Sequence, residues 1–317
     1  MDMPRLCPKL EGEDVKRVLF TLMSSSVLVL GGSGMLGTDL VPALRAAGFE
    51  VLAPTSADAD ISNPVHMAML ANGELGKFDW VVNCAAYTAV DVAETDEDNA
   101  HRINALGPGY LAIACAESGT KLIHISTDYV FDGKSTFPIT ESVKESPLGV
   151  YGRTKFDGEN AILRTLPSAI IFRTSWLFGA KGKSFPKTIL KAFAAGKSLK
   201  VVNDQMGTPT STLELSEMIV KAIDRNLAPG IYHAAGKEVM PWHRFASLLI
   251  ALKYKQKDVV AACSSDEYPT LAPRPGYSAL DSSKIYAALQ HEPWPIALAI
   301  AEYLNQLDDN FEPIGVE

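Results

Sequence analysis

No apolar run in the 317 residues reaches the roughly 18 to 20 needed to cross a bilayer, which argues against a membrane-spanning helix. Positive charge is also short. There are 29 Lys and Arg against 37 Asp and Glu, a formal charge of −8, and no basic cluster that would grip a phosphate backbone. That balance argues against a general nucleic-acid binder. Cysteine is scarce: Cys7, Cys84, Cys115 and Cys263 stand far apart with no CxxC pair. They read as reduced thiols of a cytoplasmic protein. The six histidines show no HExxH spacing, no GxSxG elbow is present, and no metal site is expected. The first 22 residues mix acids with bases and lack the long apolar core of a secretory signal. Met23 directly precedes the first clear structural unit and is a candidate natural start. No internal repeat or low-complexity segment stands out.

What is present begins at "SSSVLVLGGSGMLGTDLVPALRAAGFEVLAP". Val27 to Leu30 is a short, continuously apolar run, as expected of a parallel strand buried on both faces. Glycines come next, then helical character from Met35 to Ala47 with Gly48 as its stop, then a second strand from Phe49 to Ala53. Gly32, Gly34 and Gly37 fit GxGxxG, whereas Gly31, Gly34 and Gly37 fit GxxGxxG. In either frame, small residues permit a tight turn and let a pyrophosphate approach the backbone at a helix N-terminus. Dinucleotide binding is the expectation. The end of the second strand, "LAPTS", offers no acid for a ribose 2′-hydroxyl and no arginine for a 2′-phosphate. NADPH is the favoured cofactor, with NADH as the alternative. Asp60, in "DADIS", is a candidate for the adenine edge or a solvated loop acid.

Further strands are expected over Phe78 to Thr88, Lys121 to Gly133 and Ser168 to Gly179, with helices over Asn99 to Glu117 and Tyr151 to Leu163 between them. This alternation predicts an α/β fold: a Rossmann-type doubly wound parallel sheet with helices on both faces. Ligands in such sheets sit at the carboxyl ends of strands, where Thr88, Thr127, Asp128 and Trp176 fall. In "VYGRTKFDGE", Tyr151 and Lys155 stand four residues apart, on one helix face. An ammonium near a phenol favours the phenolate, so the pair predicts a lowered tyrosine pKa and an acid suited to carbonyl reduction.

Taken together, "CAAYTAVDVAE", "STDYVFDG", "SPLGVYGRTKFDGE", "RTSWLFG", "VVNDQMGTPT", "GIYHAAG" and "EYPTLAPRPGYSALD" resemble, in order, the dTDP-4-dehydrorhamnose reductase family of extended short-chain dehydrogenases/reductases. The resemblance runs from about Ser24 to Leu304. It implies hydride transfer from a nicotinamide to the C4 ketone of a nucleotide-linked 4-keto-6-deoxy sugar. It makes Tyr151 the proton donor, Lys155 the group that lowers the Tyr151 pKa and holds the nicotinamide ribose, and Thr127 a second hydroxyl on the same oxygen. Gly31, Gly34, Met35, Leu36 and Gly37 match the pyrophosphate turn, and Asp60 and Ile61 the adenine side. Ala86, Tyr87, Thr88 and Ile125 match positions along the cofactor. Thr127, Asp128, Tyr129 and Trp176 match sugar-contacting positions. Arg274 is assigned either to the substrate diphosphate or to a structural ion pair.

The expected organisation is an N-terminal extension (1–23), a dinucleotide-binding domain (24–175) and a smaller C-terminal substrate-binding lobe (176–305) that returns segments to the first domain. A frayed tail (306–317) closes the chain. The resemblance also implies a homodimer. Some family members are described with magnesium at a dimer interface. Asp39 lies where such a ligand could fall, but no full ligand set accompanies it. Two other readings stay open. One is an NADP-binding regulatory subunit resembling that of methionine adenosyltransferase, which shares the YxxxK pair. The other is a reductase of a different nucleotide-linked keto sugar.

Overall fold

The computed structural model describes residues 25–314, so the expectations for residues 1–23 lie outside the described residues. Six parallel strands form the central sheet: β1 (Ser26–Leu30), β2 (Glu50–Leu52), β3 (Trp80–Asn83), β4 (Lys121–Thr127), β5 (Ile170–Thr174) and β6 (Gly230–His233). Their order across the sheet is β6-β5-β4-β3-β1-β2. β2 and β3 flank β1 on opposite sides, so a crevice opens at the carboxyl end of β1, where the winding reverses.

The apolar run that predicted β1 is divided between two cores. Val27 and Val29 join Leu36, Leu40 and Leu44 of the Met35–Ala46 helix and Leu215, Met218 and Ile219 of the Thr212–Asp224 helix. Leu28 and Leu30 face the other way, onto Met67, Leu111, Cys115 and Ile162. Successive side chains of a strand point to opposite faces, so burial on both sides demands an unbroken apolar run.

The expected strands are shorter than their apolar runs. The third ends at Asn83 and the fourth at Thr127, after which Asp128–Val130 makes one 3-10 turn. The helix expected from Asn99 to Glu117 is split by a π-helical segment, Arg102–Leu106. A third core unites Phe178, Leu190, Val201, Phe245, Ile250, Ile300 and Tyr303 in the C-terminal half. From that half the Thr212–Asp224 helix, β6 and the Ser283–Leu289 helix pack back onto the central sheet.

Within the expected tail, residues 306–314 are tied to the rest of the chain. Phe311 is buried against the third core, Asp308 N–H bonds the Glu312 carbonyl, and the Glu312 carboxylate takes Lys187 at 3.1 Å and Lys191 at 2.7 Å. Charge composition hid this, because the anchoring Phe311 sits among acids that look solvated. Asp39 is also spoken for: it accepts from Thr212 Oγ1 at 2.5 Å and Gln306 Nε2 at 2.9 Å. It ties the first helix to the C-terminal half. Among the described residues, no group of three or more His, Cys, Asp or Glu could hold a metal ion.

Candidate active site

The glycine turn closes the crevice on one side. Gly31 has φ +77°, a conformation that disfavours side chains, and a Cβ there would lie 2.7 Å from the Ala85 nitrogen at the end of β3. A Cβ on Gly37 would collide with the Gly31 carbonyl. The Met35–Ala46 helix starts at Gly34 with no side-chain cap and no acid in its first turn. Its first N–H groups are therefore left for an outside acceptor, which fits a pyrophosphate. The Leu36 and Ile61 side chains are core, so only their backbones can face such a ligand. Asp60 Oδ1 accepts from the Ser62 N–H at 2.9 Å and hydroxyl at 2.7 Å, and Arg102 bonds Ser62 in turn. Burial pulls the Asp60 pKa up, but these bonds and the Arg102 and His66 charges outweigh it and hold the carboxyl below its ordinary range.

At the end of β3, Ala86 and Tyr87 are half-buried and Thr88 is exposed. The Tyr87 backbone is held at both ends by one side chain: Asn104 Oδ1 accepts its N–H at 2.9 Å and Asn104 Nδ2 donates to its carbonyl at 3.0 Å. Asn104 lies in the π-helical segment and also donates to Thr154 at 3.2 Å. Asn104 was not among the expected site residues. Its one signal, a lone Asn in "RINALGPG", has no motif character.

The Val150–Thr165 helix carries Tyr151 and Lys155. It begins at Gly149, without a side-chain cap of its own, and Glu94 of "YTAVDVAE" accepts the Val150 N–H at 2.8 Å. Gly152 brings it against β4: a Cβ there would collide with the Tyr129 carbonyl. Thr127, Asp128, Tyr129 and Tyr151 thus meet at one strand end. Thr127 Oγ1 donates to Asp128 Oδ1 at 3.1 Å, Ser175 donates to Asp128 Oδ2 at 3.2 Å, and the Tyr129 and Tyr151 rings meet edge to face at 5.5 Å.

The phenol shift runs opposite to the expected one. Burial raises the Tyr151 pKa, Thr127 draws it down only partly, and Asp128 and Tyr129 push it further up. Lys155 Nζ is directed at the Ile125 carbonyl, 2.7 Å away, and lies 3.4 Å from His124 Nε2. Burial pushes Lys155 down to about 8, against the Glu159 and Cys84 charges that support the ammonium. The i, i+4 spacing places both groups on one face; depth in the fold sets their proton affinities.

Burial likewise pushes the Asp128 carboxyl up to about 6, against hydrogen bonds from Ser278, Thr127 and Ser175. Because the folded value lies above the ordinary one, the stability it contributes is present below about pH 4 and lost as pH rises through about 6. Asp128→Asn should therefore stabilise the protein at pH 7 by about 3 kcal/mol. The gain should vanish near pH 4. Urea unfolding at the two pH values checks this, and an equal gain at both would refute it.

Beyond this strand end lies a cavity of about 450 Å³, lined by Tyr129, Asp91 and Arg274 on one side and Phe185, Trp242 and Lys200 on the other. That volume suits a small-molecule ligand. Arg274 forms the expected ion pair, with Asp91 at 2.6 Å; it also donates to the Tyr129 hydroxyl at 3.1 Å and lines the cavity. Trp176 makes its ring contacts on the lobe side. Its indole stacks on Trp242 at 3.4 Å and covers Gly207. Its backbone is left-handed, φ +46°, an uncommon state for a bulky residue and one that clusters at ligand sites.

Comparison with known proteins shows the family. Residues 25–308 match the family model described as the RmlD substrate binding domain. A dTDP-4-dehydrorhamnose reductase of Mycolicibacterium smegmatis is 38% identical over 87% of this chain and 84% of its own. The crystal structure of a dTDP-4-dehydrorhamnose reductase from Clostridium acetobutylicum is 36% identical, covering 88% of this chain and 98% of the other with a TM-score of 0.82. That of the Bacillus anthracis reductase, in complex with NADP, is 30% identical, covering 89% and 99% with a TM-score of 0.84. Matched along nearly all of its described length, the chain belongs to the dTDP-4-dehydrorhamnose reductase family, the family of the RmlD substrate binding domain.

Proposed function

We propose that this protein reduces the C4 ketone of dTDP-4-dehydro-6-deoxy-L-mannose to give dTDP-L-rhamnose. The observation that carries the reading is the meeting of the Thr127 hydroxyl and the Tyr151 phenol at the end of β4, where Tyr151 packs on Tyr129 of the cavity wall. When bound, NADPH supplies the hydride, with NADH as the second donor to be compared. Gly31, Gly34, Met35 and Gly37 hold its pyrophosphate, Asp60 and Ile61 border its adenine side, and Ala86, Tyr87, Thr88, Ile125 and Lys155 line its path. Tyr151, kept neutral by burial, gives its proton to the C4 oxygen. Thr127 donates a second hydrogen bond to that oxygen, and aimed donors of this kind are worth several kcal/mol at the barrier. Asp128, Tyr129 and Trp176 orient the sugar, and Arg274 meets the diphosphate. The unpaired thiols of Cys84, Cys115 and Cys263 support a cytoplasmic location, and a homodimer is the assembly inferred.

The test is turnover of the enzymatically prepared keto sugar with NADPH and with NADH, followed by nicotinamide absorbance, and identification of the product's C4 configuration. dTDP-L-rhamnose is the expected product. Tight cofactor binding without turnover would favour the regulatory-subunit reading. The opposite C4 epimer would move the assignment to another keto sugar.

A further inference from the structure

A buried chain of side chains runs behind Lys155. Asn83 and His124 are fully buried and face one another across β3 and β4, in register. The Ala85 N–H donates to Asn83 Oδ1 at 3.0 Å, which fixes the direction of that amide. Its NH₂ group then points at His124 Nδ1, 2.9 Å away, so Nδ1 must offer a lone pair. His124 is neutral, because burial, and then the Lys155 charge, hold its pKa well below the usual range. Its single ring proton is therefore on Nε2, the nitrogen 3.4 Å from Lys155 Nζ.

We propose that His124 is a positioning residue which, locked by Asn83 as the Nε2–H tautomer, presents an N–H to Lys155 and favours the amine form of that lysine. This rests on the reductase reading of the site. An ammonium has no lone pair to accept the N–H, whereas an amine has one. The other groups facing Lys155 are the Cys84 thiol beyond β3, the Ile125 carbonyl of β4, and Glu159 one turn further along its helix, itself paired with Arg173 of β5. Glu159 and Cys84 support the ammonium, and His124 opposes them. The consequence is a lysine that surrenders a proton easily. When Lys155 gives up a proton, the resulting amine accepts the His124 N–H, and solvent returns a proton to Nζ.

Two measurements test this. In the ¹⁵N-labelled protein without substrate, long-range ¹H–¹⁵N spectra, with His124→Phe for assignment, should show His124 protonated on Nε2 only. A proton on Nδ1 would overturn the proposal. Asn83→Asp offers a carboxylate to Nδ1–H, which should reverse the tautomer and turn a lone pair toward Lys155. The Lys155 titration, followed at Nζ, and the alkaline limb of kcat/KM should then move up by about one pH unit. That shift should largely disappear when Asn83→Asp is combined with His124→Phe. A merely structural Asn83 would lower activity at every pH and leave the limb in place, and a shift that persists without His124 is a plain charge effect. Either result overturns the proposal. The wild-type spectra decide even if the variants do not fold. They also need no turnover, so failure of the reductase reading would be recognised separately.

Discussion

Tyr151→Phe should cut kcat about 10²–10⁴-fold while fold, cofactor binding and KM stay close to wild type. The phenylalanine ring keeps the edge-to-face contact with Tyr129, so packing at the strand end survives. What is lost is the only proton that the buried phenol offers to the developing C4 alkoxide. Thr127 cannot replace it, because an aliphatic hydroxyl is a far weaker acid than a phenol and can support the oxygen only by hydrogen bonding. A variant that keeps activity within about tenfold would remove Tyr151 from the role of acid, since positioned acids contribute more than that. Cofactor affinity, measured by fluorescence titration, separates this outcome from collapse of the site.

Glu159→Ala should be the more damaging change to stability, at about 3–5 kcal/mol. Arg173 has no exposed side-chain surface. Its Nε lies 3.0 and 3.2 Å from the two Glu159 oxygens, and Nη2 lies 2.6 Å from Glu159 and 2.5 Å from Glu145. Glu159 also accepts from Ser126 of β4. Removing its carboxylate leaves a buried guanidinium with Glu145 alone. Replacing both members of the central pair, Glu159→Leu with Arg173→Met, should recover more than half of the loss, because the larger penalty is an unpaired buried charge. Chemical denaturation of both variants checks this. Should Glu159→Ala cost under about 1 kcal/mol, the ion pair would be no more than a surface-type contact. The same carboxylate supports the Lys155 ammonium, which couples this core pair to the site in front of it.

The parts of the molecule that were legible in the sequence are those set by local rules. An apolar run wanted on both faces marks β1, small residues mark the turn after it, and four-residue spacing marks the shared face of Tyr151 and Lys155. The clamp of Asn104 on Tyr87 was not legible. It depends on a π-helical segment that brings residue 104 beside residue 87, and no local pattern encodes that pairing. The Trp176–Trp242 stack and the anchoring of Phe311 joined residues too distant in sequence to be matched. Glu94 as the cap of the Val150–Thr165 helix is of the same kind.

The sequence by itself determined the doubly wound architecture, the position of the glycine turn and which hydroxyls and ammonium stand at the strand ends, because periodicity and backbone conformation are local properties. Only the tertiary structure decided the protonation of those groups. Lys155 stands four residues from Tyr151, yet burial raises the phenol and lowers the lysine, and the His124 tautomer is set by the Ala85 N–H through Asn83. Proton affinity depends on desolvation and the partners that surround a group, and both exist only once strands and helices have closed around it.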